Sequence, residues 1–197
     1  MHGPIQTRDP ASCADAYAGI LGWPVAVGHR YRPRGGCTCG ALQDCPTPGA
    51  HPRPGTVPLT SAAQLTAELA VSPGASLIAP TLPFDVIVLP KSYGMAAMAS
   101  LDRVAPVPCL LDGERAALFV LPSTARYLFG PEPHPALDVR SGPNGWVALP
   151  PSHSVRWDTP PWNEQTHQPL PLMHGQDLSL HLAAALRAAG MATAQPT

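Results

Sequence analysis

The chain has 197 residues, 45% hydrophobic and only 13% charged, with a formal net charge of −1. That length supports one domain with a sizeable core, and so even a balance sets up no global field that would recruit nucleic acid or a membrane. The 27 prolines and 17 glycines stay below the share that marks a disordered chain.

Asp9-Pro10 reads as an N-cap followed by proline at the first helical position. Ala14, Tyr17, Ala18 and Leu21 then keep helical spacing, and Gly22 ends the run. WPVAV, from Trp23, is β-prone and leads into the arginine-rich HRYRPRGG. SAAQLTAELA carries a Ser61/Gln64 capping box with Leu65 and Leu69 on one face. SLIAP and FDVIVLP read as two strands, followed by a helix over roughly 91–103. VPCLLDGERAALFVLP predicts a hairpin about Asp112-Gly113, and ALDVRSGPNGWVALPPS a second about Pro143-Asn144-Gly145. Residues 158–175 are proline-rich and irregular. A final helix over about 176–189 aligns Leu178, Leu182 and Leu186 and stops at Gly190, leaving 190–197 as a frayed tail. Strands grouped in hairpins with helices between them predict an α+β domain with a mixed or antiparallel sheet, spanning 1–197.

MHGPIQTRDP lacks the basic-then-apolar pattern of a signal peptide, and the most apolar run, LIAPTLPFDVIVLP, is broken by prolines and Asp85. The expectation is a cytoplasmic protein with no membrane partner. Five cysteines, an odd number, point away from a disulfide framework and toward metal.

Three of those cysteines fall within residues 37–53, with the spacing C-x-C-x5-C-x5-H: Cys37, Cys39, Cys45 and His51. Thiolates and an imidazole suit a tetrahedral zinc, and four protein ligands make a closed, structural site. Glycines and prolines in the stretch let it fold back on itself. His29 is an alternative to His51, and incidental loop thiols are the alternative to a metal. Arg30, Arg32, Arg34 and Arg53 flank the cluster and form a basic patch suited to phosphate.

In order and spacing, a helix ending in GWPVAV, the stretch CTCGALQDCPTPGAHPRP and the motif LDVRSGPNGWVALPPSH resemble the bifunctional primase–polymerase domain of the archaeo-eukaryotic primase superfamily. The resemblance covers nearly the whole chain. It implies a core related to the RNA-recognition fold and two Mg²⁺ or Mn²⁺ ions held by carboxylates for nucleotidyl transfer. The family's paired acids fall on FDVIVLP, where Asp85 is present but the partner position is Ile87. Its histidine falls near Ala116, and its third acid on Asp138, with Arg140 beside it. The resemblance, together with strand alternation, implies that Asp85, Ile87, Asp138 and Arg140 share one sheet face. Asp112 is assigned to turn chemistry, and Glu114 is a weaker substitute for a lost ligand. Ser152 matches a residue near the family's nucleotide site, and His153 is a candidate phosphate contact. Trp146, Trp157 and Trp162 are candidates for base stacking or for the core.

The expected function is that of a primase–polymerase-like protein with a depleted catalytic site. Such a protein would bind nucleic acid or nucleotide, with a possible protein partner, in a replication-related or regulatory role. The alternatives are an active template-dependent DNA primase/polymerase using Mg²⁺ or Mn²⁺, and a metal-dependent enzyme of another class using Asp85 and Asp138.

Overall fold

The computed structural model describes residues 4–129 and 134–188; the expected tail and the stop at Gly190 lie outside them. The Asp9 side chain accepts a hydrogen bond from the Ser12 N–H at 2.8 Å and starts helix α1 (Pro10–Ala14). This helix runs on into a π-helical stretch, Asp15–Ile20, burying Tyr17, and Gly22, at φ +66°, takes the left-handed conformation that lets the chain leave. The Ser61 hydroxyl caps α2 (Ala62–Val71) by accepting from the Gln64 N–H, and Leu65 and Leu69 are its buried residues. Helices α3 (Lys91–Leu101) and α4 (Ser179–Ala188, entered through the 3₁₀ turn Gly175–Leu178) complete the helical set among the described residues. No helix among them is long and apolar enough to cross a membrane.

Seven strands form one antiparallel sheet: β1 (Ala26–Arg32), β2 (Gly36–Cys37), β3 (Ala75–Pro90), β4 (Cys109–Asp112), β5 (Arg115–Val120), β6 (Asp138–Leu149) and β7 (Val155–Thr159). Their order is β2-β1-β3-β5-β4-β7, with β6 on the free edge of β3. The fold class is therefore α+β, as the sequence implies. The hairpin expected about Asp112-Gly113 is present as β4–β5, its loop Gly113-Glu114 lying one residue further on, with Gly113 at φ +55°.

Two expected strand boundaries are corrected. SLIAP and FDVIVLP are not separate strands but one sixteen-residue strand, β3. Its ladder with β6 shifts between Pro80 and Thr81 and again between Thr81 and Val86. The prolines thus sit where hydrogen bonds are missing rather than where the strand ends. The second predicted hairpin does not form either. Pro143-Asn144-Gly145 bulges out of a continuous β6, which pairs along β3 from Val88↔Asp138 to Leu77↔Leu149. The Thr81 hydroxyl donates to the Gly142 carbonyl at 3.0 Å and fastens that bulge.

Beyond the irregular stretch, β3 alternates cleanly between two cores. Phe84, Val86 and Val88 join Leu110, Ala117 and Phe119 in a cluster with Tyr17, Trp23 and Leu65. Ile87 and Leu89 join Leu111, Ala116 and Leu118 in a second cluster under α3 and α4, with Met98, Leu101, Leu182 and Leu186. Aromatic rings fill the first: Trp23 lies parallel to Phe119 at 5.7 Å and tilts against Phe84 at 4.4 Å. Trp157 donates from Nε1 to the Tyr17 hydroxyl at 3.0 Å, and Trp162 is buried beside it. Those two tryptophans are core residues, not stacking platforms.

Candidate metal centre and adjoining cleft

The short β1–β2 hairpin delivers Cys37, and the turns after it bring back Cys39, Cys45 and His51. Their ligand atoms all lie within 4.8 Å of one another. Cys37 Sγ is 3.2 Å and Cys45 Sγ 3.4 Å from His51 Nε2. A tetrahedral zinc with bonds of about 2.3 Å to sulfur and 2.0 Å to nitrogen would separate its ligands by roughly 3.5–3.8 Å, so the cluster fits that ion. His29, the alternative ligand, is not part of the cluster. Its Nδ1 lies 3.2 Å from the Thr38 hydroxyl and its ring packs on that of His51.

The electrostatics of the thiols also match a cation site. Burial pushes the Cys37 thiol up, but N–H groups of Gly49 and Cys39 and the His51 ring outweigh it and hold Cys37 at about 6. Burial and the neighbouring Cys37 and Cys39 sulfurs push Cys45 up to about 11, against the opposing pull of Thr47. The surroundings thus favour the thiolate at Cys37 and the thiol at Cys45. A bound divalent cation reverses that second preference, because its charge deprotonates a coordinating thiol.

The two expected catalytic acids do not converge. Cross-strand neighbours share a face, and the register sets Asp138 opposite Val88 and Arg140 opposite Val86, whereas Asp85 lies opposite Val120. Asp138 and Arg140 thus belong to the Val86/Val88 face, and Asp85 and Ile87 to the other. The single-face expectation is overturned, because it assumed a parity between strands that only the pairing register can set. Asp85 is 1% exposed, and its Oδ2 accepts from the Ala125 N–H at 2.9 Å. That bond caps the 3₁₀ turn Ala125–Tyr127. Replacing Asp85 by Ala strands this buried N–H and is expected to cost about 1–3 kcal/mol, read as a lower urea midpoint. An Asp85→Ala protein as stable as the wild type would refute the capping role.

Ser152 is likewise structural. It is buried, its hydroxyl accepting from the Leu77 N–H at 3.0 Å and donating to the Leu77 carbonyl at 3.3 Å. It ties the segment after β6 to β3, and its single hydroxyl proton is committed there.

What the fold does assemble is a cleft of 370 Å³ on the Val88 face. Val88, Leu110, Ala117 and Ala148 give it an apolar floor, and Pro46–Ala50 of the cysteine loop form one wall. Asp112, Arg115, Arg140, Trp146 and His153 contribute polar and aromatic groups. Asp138 Oδ2 accepts from Arg140 at 2.9 Å and from Arg115 at 3.3 Å. The Arg140 guanidinium also donates to the Trp146 carbonyl at 3.1 Å and lies over the Trp146 ring, 5.3 Å from its centroid. At the rim, His153 stacks on Tyr31 with ring centroids 4.0 Å apart and planes 22° apart.

Tyr31 stands between Arg30 and Arg32 on β1. Arg32 and Arg34 are exposed at the β1–β2 turn, while Arg30 donates to the Pro73 carbonyl and lines a second groove with Arg53. The expected basic patch is thus split: Arg32 and Arg34 are exposed at the turn, and Arg30 is bound to the turn that follows α2. The sequence reading passed over Arg115 and gave Asp112 only a turn role. A signal existed, since residues flanking a two-residue hairpin loop pair directly, here Asp112↔Arg115. No family model, curated protein or solved structure matches the chain.

Proposed function

We propose that this protein is a non-catalytic relative of the primase–polymerases that binds single-stranded nucleic acid along the edge of its metal loop. The observation that carries the reading is the Tyr31–His153 stack at the mouth of the cleft, on the strand that leads to the exposed Arg32 and Arg34, with Arg140 over Trp146 in the cleft itself. Alternating cations and flat rings are what a single strand needs, with arginine taking phosphates and aromatic faces taking bases. Zinc at Cys37, Cys39, Cys45 and His51 would hold the β1–β2 hairpin and the loop that walls the cleft.

Polymerase activity is the less favoured reading. Two-metal phosphoryl transfer needs carboxylates that meet on one pair of ions. Here Asp85 is committed to a cap on the opposite face, and Asp138 is shared between two arginines.

The test is fluorescence anisotropy with a labelled mixed-sequence single strand, alongside primer extension with Mg²⁺ and with Mn²⁺. Binding without synthesis is expected. Three or four phosphate contacts at a slope of about −0.7 each imply roughly 20- to 50-fold weaker binding on going from about 50 to 200 mM salt. Arg32→Ala/Arg34→Ala should weaken binding and flatten that slope by about one to two units. Absence of binding at low salt, or robust synthesis lost in Asp85→Ala/Asp138→Ala, would overturn the proposal.

A further inference from the structure

Within the cleft, Asp112 is the half-buried acid that the network leaves out; the exposed Glu114 at the turn is the other. Arg115 and Arg140 both turn to Asp138, whereas no hydrogen bond or ion pair among the described residues engages the Asp112 carboxylate, although it lines the same cavity. Burial pushes the Asp112 carboxyl up, against the lowering pull of Arg140, Arg115 and His153. A half-buried acceptor above an apolar floor is costly without a partner, so the cavity is shaped for a ligand that brings hydrogen-bond donors.

The chemistry of that ligand follows by elimination. The two guanidiniums of the lining, Arg115 and Arg140, are offset by Asp112 and Glu114 beside them and by their ion pairs with Asp138, so the cleft interior does not attract a phosphate. Among the described residues the cluster with metal-holding spacing is the Cys37–His51 set, so these carboxylates do not form a cation site. A cationic ligand would meet Arg115 and Arg140. What remains is a flat, neutral group with paired donors on one edge and acceptors on another. A volume of 370 Å³ lies at the small end of ligand pockets, about 300–1,000 Å³, and suits one nucleoside rather than a stretch of strand.

We infer that the cleft is a guanine pocket, in which Asp112 accepts from the N1–H and N2–H₂ edge while Arg115 or Arg140 donates to the O6 and N7 acceptors. Guanine is the base whose donors are adjacent and can meet one carboxylate in bidentate fashion, and its O6/N7 pair is the usual partner of arginine. The inference rests on the single-strand reading and adds a base preference to it: one guanine leaves the strand at the Tyr31–His153 rim and enters the cavity.

Nucleosides test it, because they carry no phosphate. Calorimetry with guanosine should show binding. Inosine, which lacks the N2 amine, should bind about tenfold more weakly or worse, and adenosine should not compete. Asp112→Asn replaces one of the two acceptor oxygens by a donor, so the N1–H and N2–H₂ edge can no longer be met in bidentate fashion, and should abolish the preference for guanosine over inosine. Should that variant fail to fold, the guanosine-to-inosine ratio on wild-type protein still decides the matter. Equal binding of the two overturns the pocket, as does binding of N-acetylarginine amide in place of guanosine. Loss of all nucleoside binding with oligonucleotide binding intact also overturns the pocket and spares the single-strand reading; loss of both overturns both.

Discussion

Stripping the metal from the cysteine cluster is expected to dismantle the outer wall of the cleft while leaving the sheet folded. Pro46–Ala50, which line the cleft, are the residues enclosed between two of the ligands, Cys45 and His51. The loop has little else to hold it. Leu42, its largest apolar side chain, is 56% exposed, and its buried residues are the ligands Cys37 and Cys45 with small neighbours such as Gly49 and Ala50. Besides short backbone turns and bonds to β1, it is held through the cluster itself, the Gly49 N–H donating to Cys37 Sγ at 3.3 Å. Metal binding in such small sites contributes on the order of 10 kcal/mol, so protein purified without added zinc should carry about one equivalent. Cys45→Ser should lose most of it and expose residues 37–53 to proteolysis and amide exchange. It should bind the single strand much more weakly yet keep the far-ultraviolet circular dichroism of the wild type. Less than a tenth of an equivalent in the wild type, with all thiols reactive, would sink the metal. A Cys45→Ser protein with unaltered binding would sink the coupling.

How much of this was legible depended on distance along the chain. The cluster could be read because its four ligands lie within fifteen residues, where turn chemistry alone brings them together. The Asp9 and Ser61 caps could be read for the same reason, each acting three residues ahead. The β4–β5 hairpin could be read because two apolar runs flank a glycine turn, although its loop is Gly113-Glu114, one residue beyond the expected Asp112-Gly113. What failed were inferences needing long-range register. Pro80 and Pro83 looked like a strand break and Pro143-Asn144-Gly145 like a hairpin turn. In the fold both mark irregularities where β3 and β6 run past each other and slip. Alternation correctly grouped Asp85 with Ile87 and Asp138 with Arg140. It could not say that the two groups face opposite ways, since that parity is set by which residue of β6 meets which residue of β3 across some fifty positions of chain. The cleft was missed as a unit because it draws on the cysteine loop, the β4–β5 hairpin and β6 together.

Ile87→Asp combined with Ala116→His, the substitutions that a one-face alternation would choose to rebuild an acidic site, is expected to unfold the protein rather than to confer metal binding. Ile87 is fully buried between the sheet and the α3/α4 layer, among Met98, Leu101 and Leu182. A carboxylate there would lie among apolar side chains with no charged partner, and burying it costs several kcal/mol even after its proton is restored. Ala116 is fully buried as well, where α3 crosses β5 at Gly94. A Cβ added to Gly94 would stand only 2.4 Å from the Ala116 Cβ, so the helix already rides as close as two small residues permit. Forcing an imidazole into that crossing adds about 1–3 kcal/mol of overpacking. The two costs together reach the whole stability of an ordinary domain, about 5–15 kcal/mol. Val88→Asp is the informative contrast. Val88 lines the cleft, sits opposite Asp138 and shares its face with Arg115 and Arg140, so a carboxylate there finds two guanidiniums and an opening to water. This variant should keep a cooperative urea transition at a lower midpoint, while the double variant should show none. A double variant that melts like the wild type and gains Mn²⁺ binding in calorimetry would show that Ile87 and Ala116 border an ion site after all, and the assignment of the two sheet faces would have to be reversed.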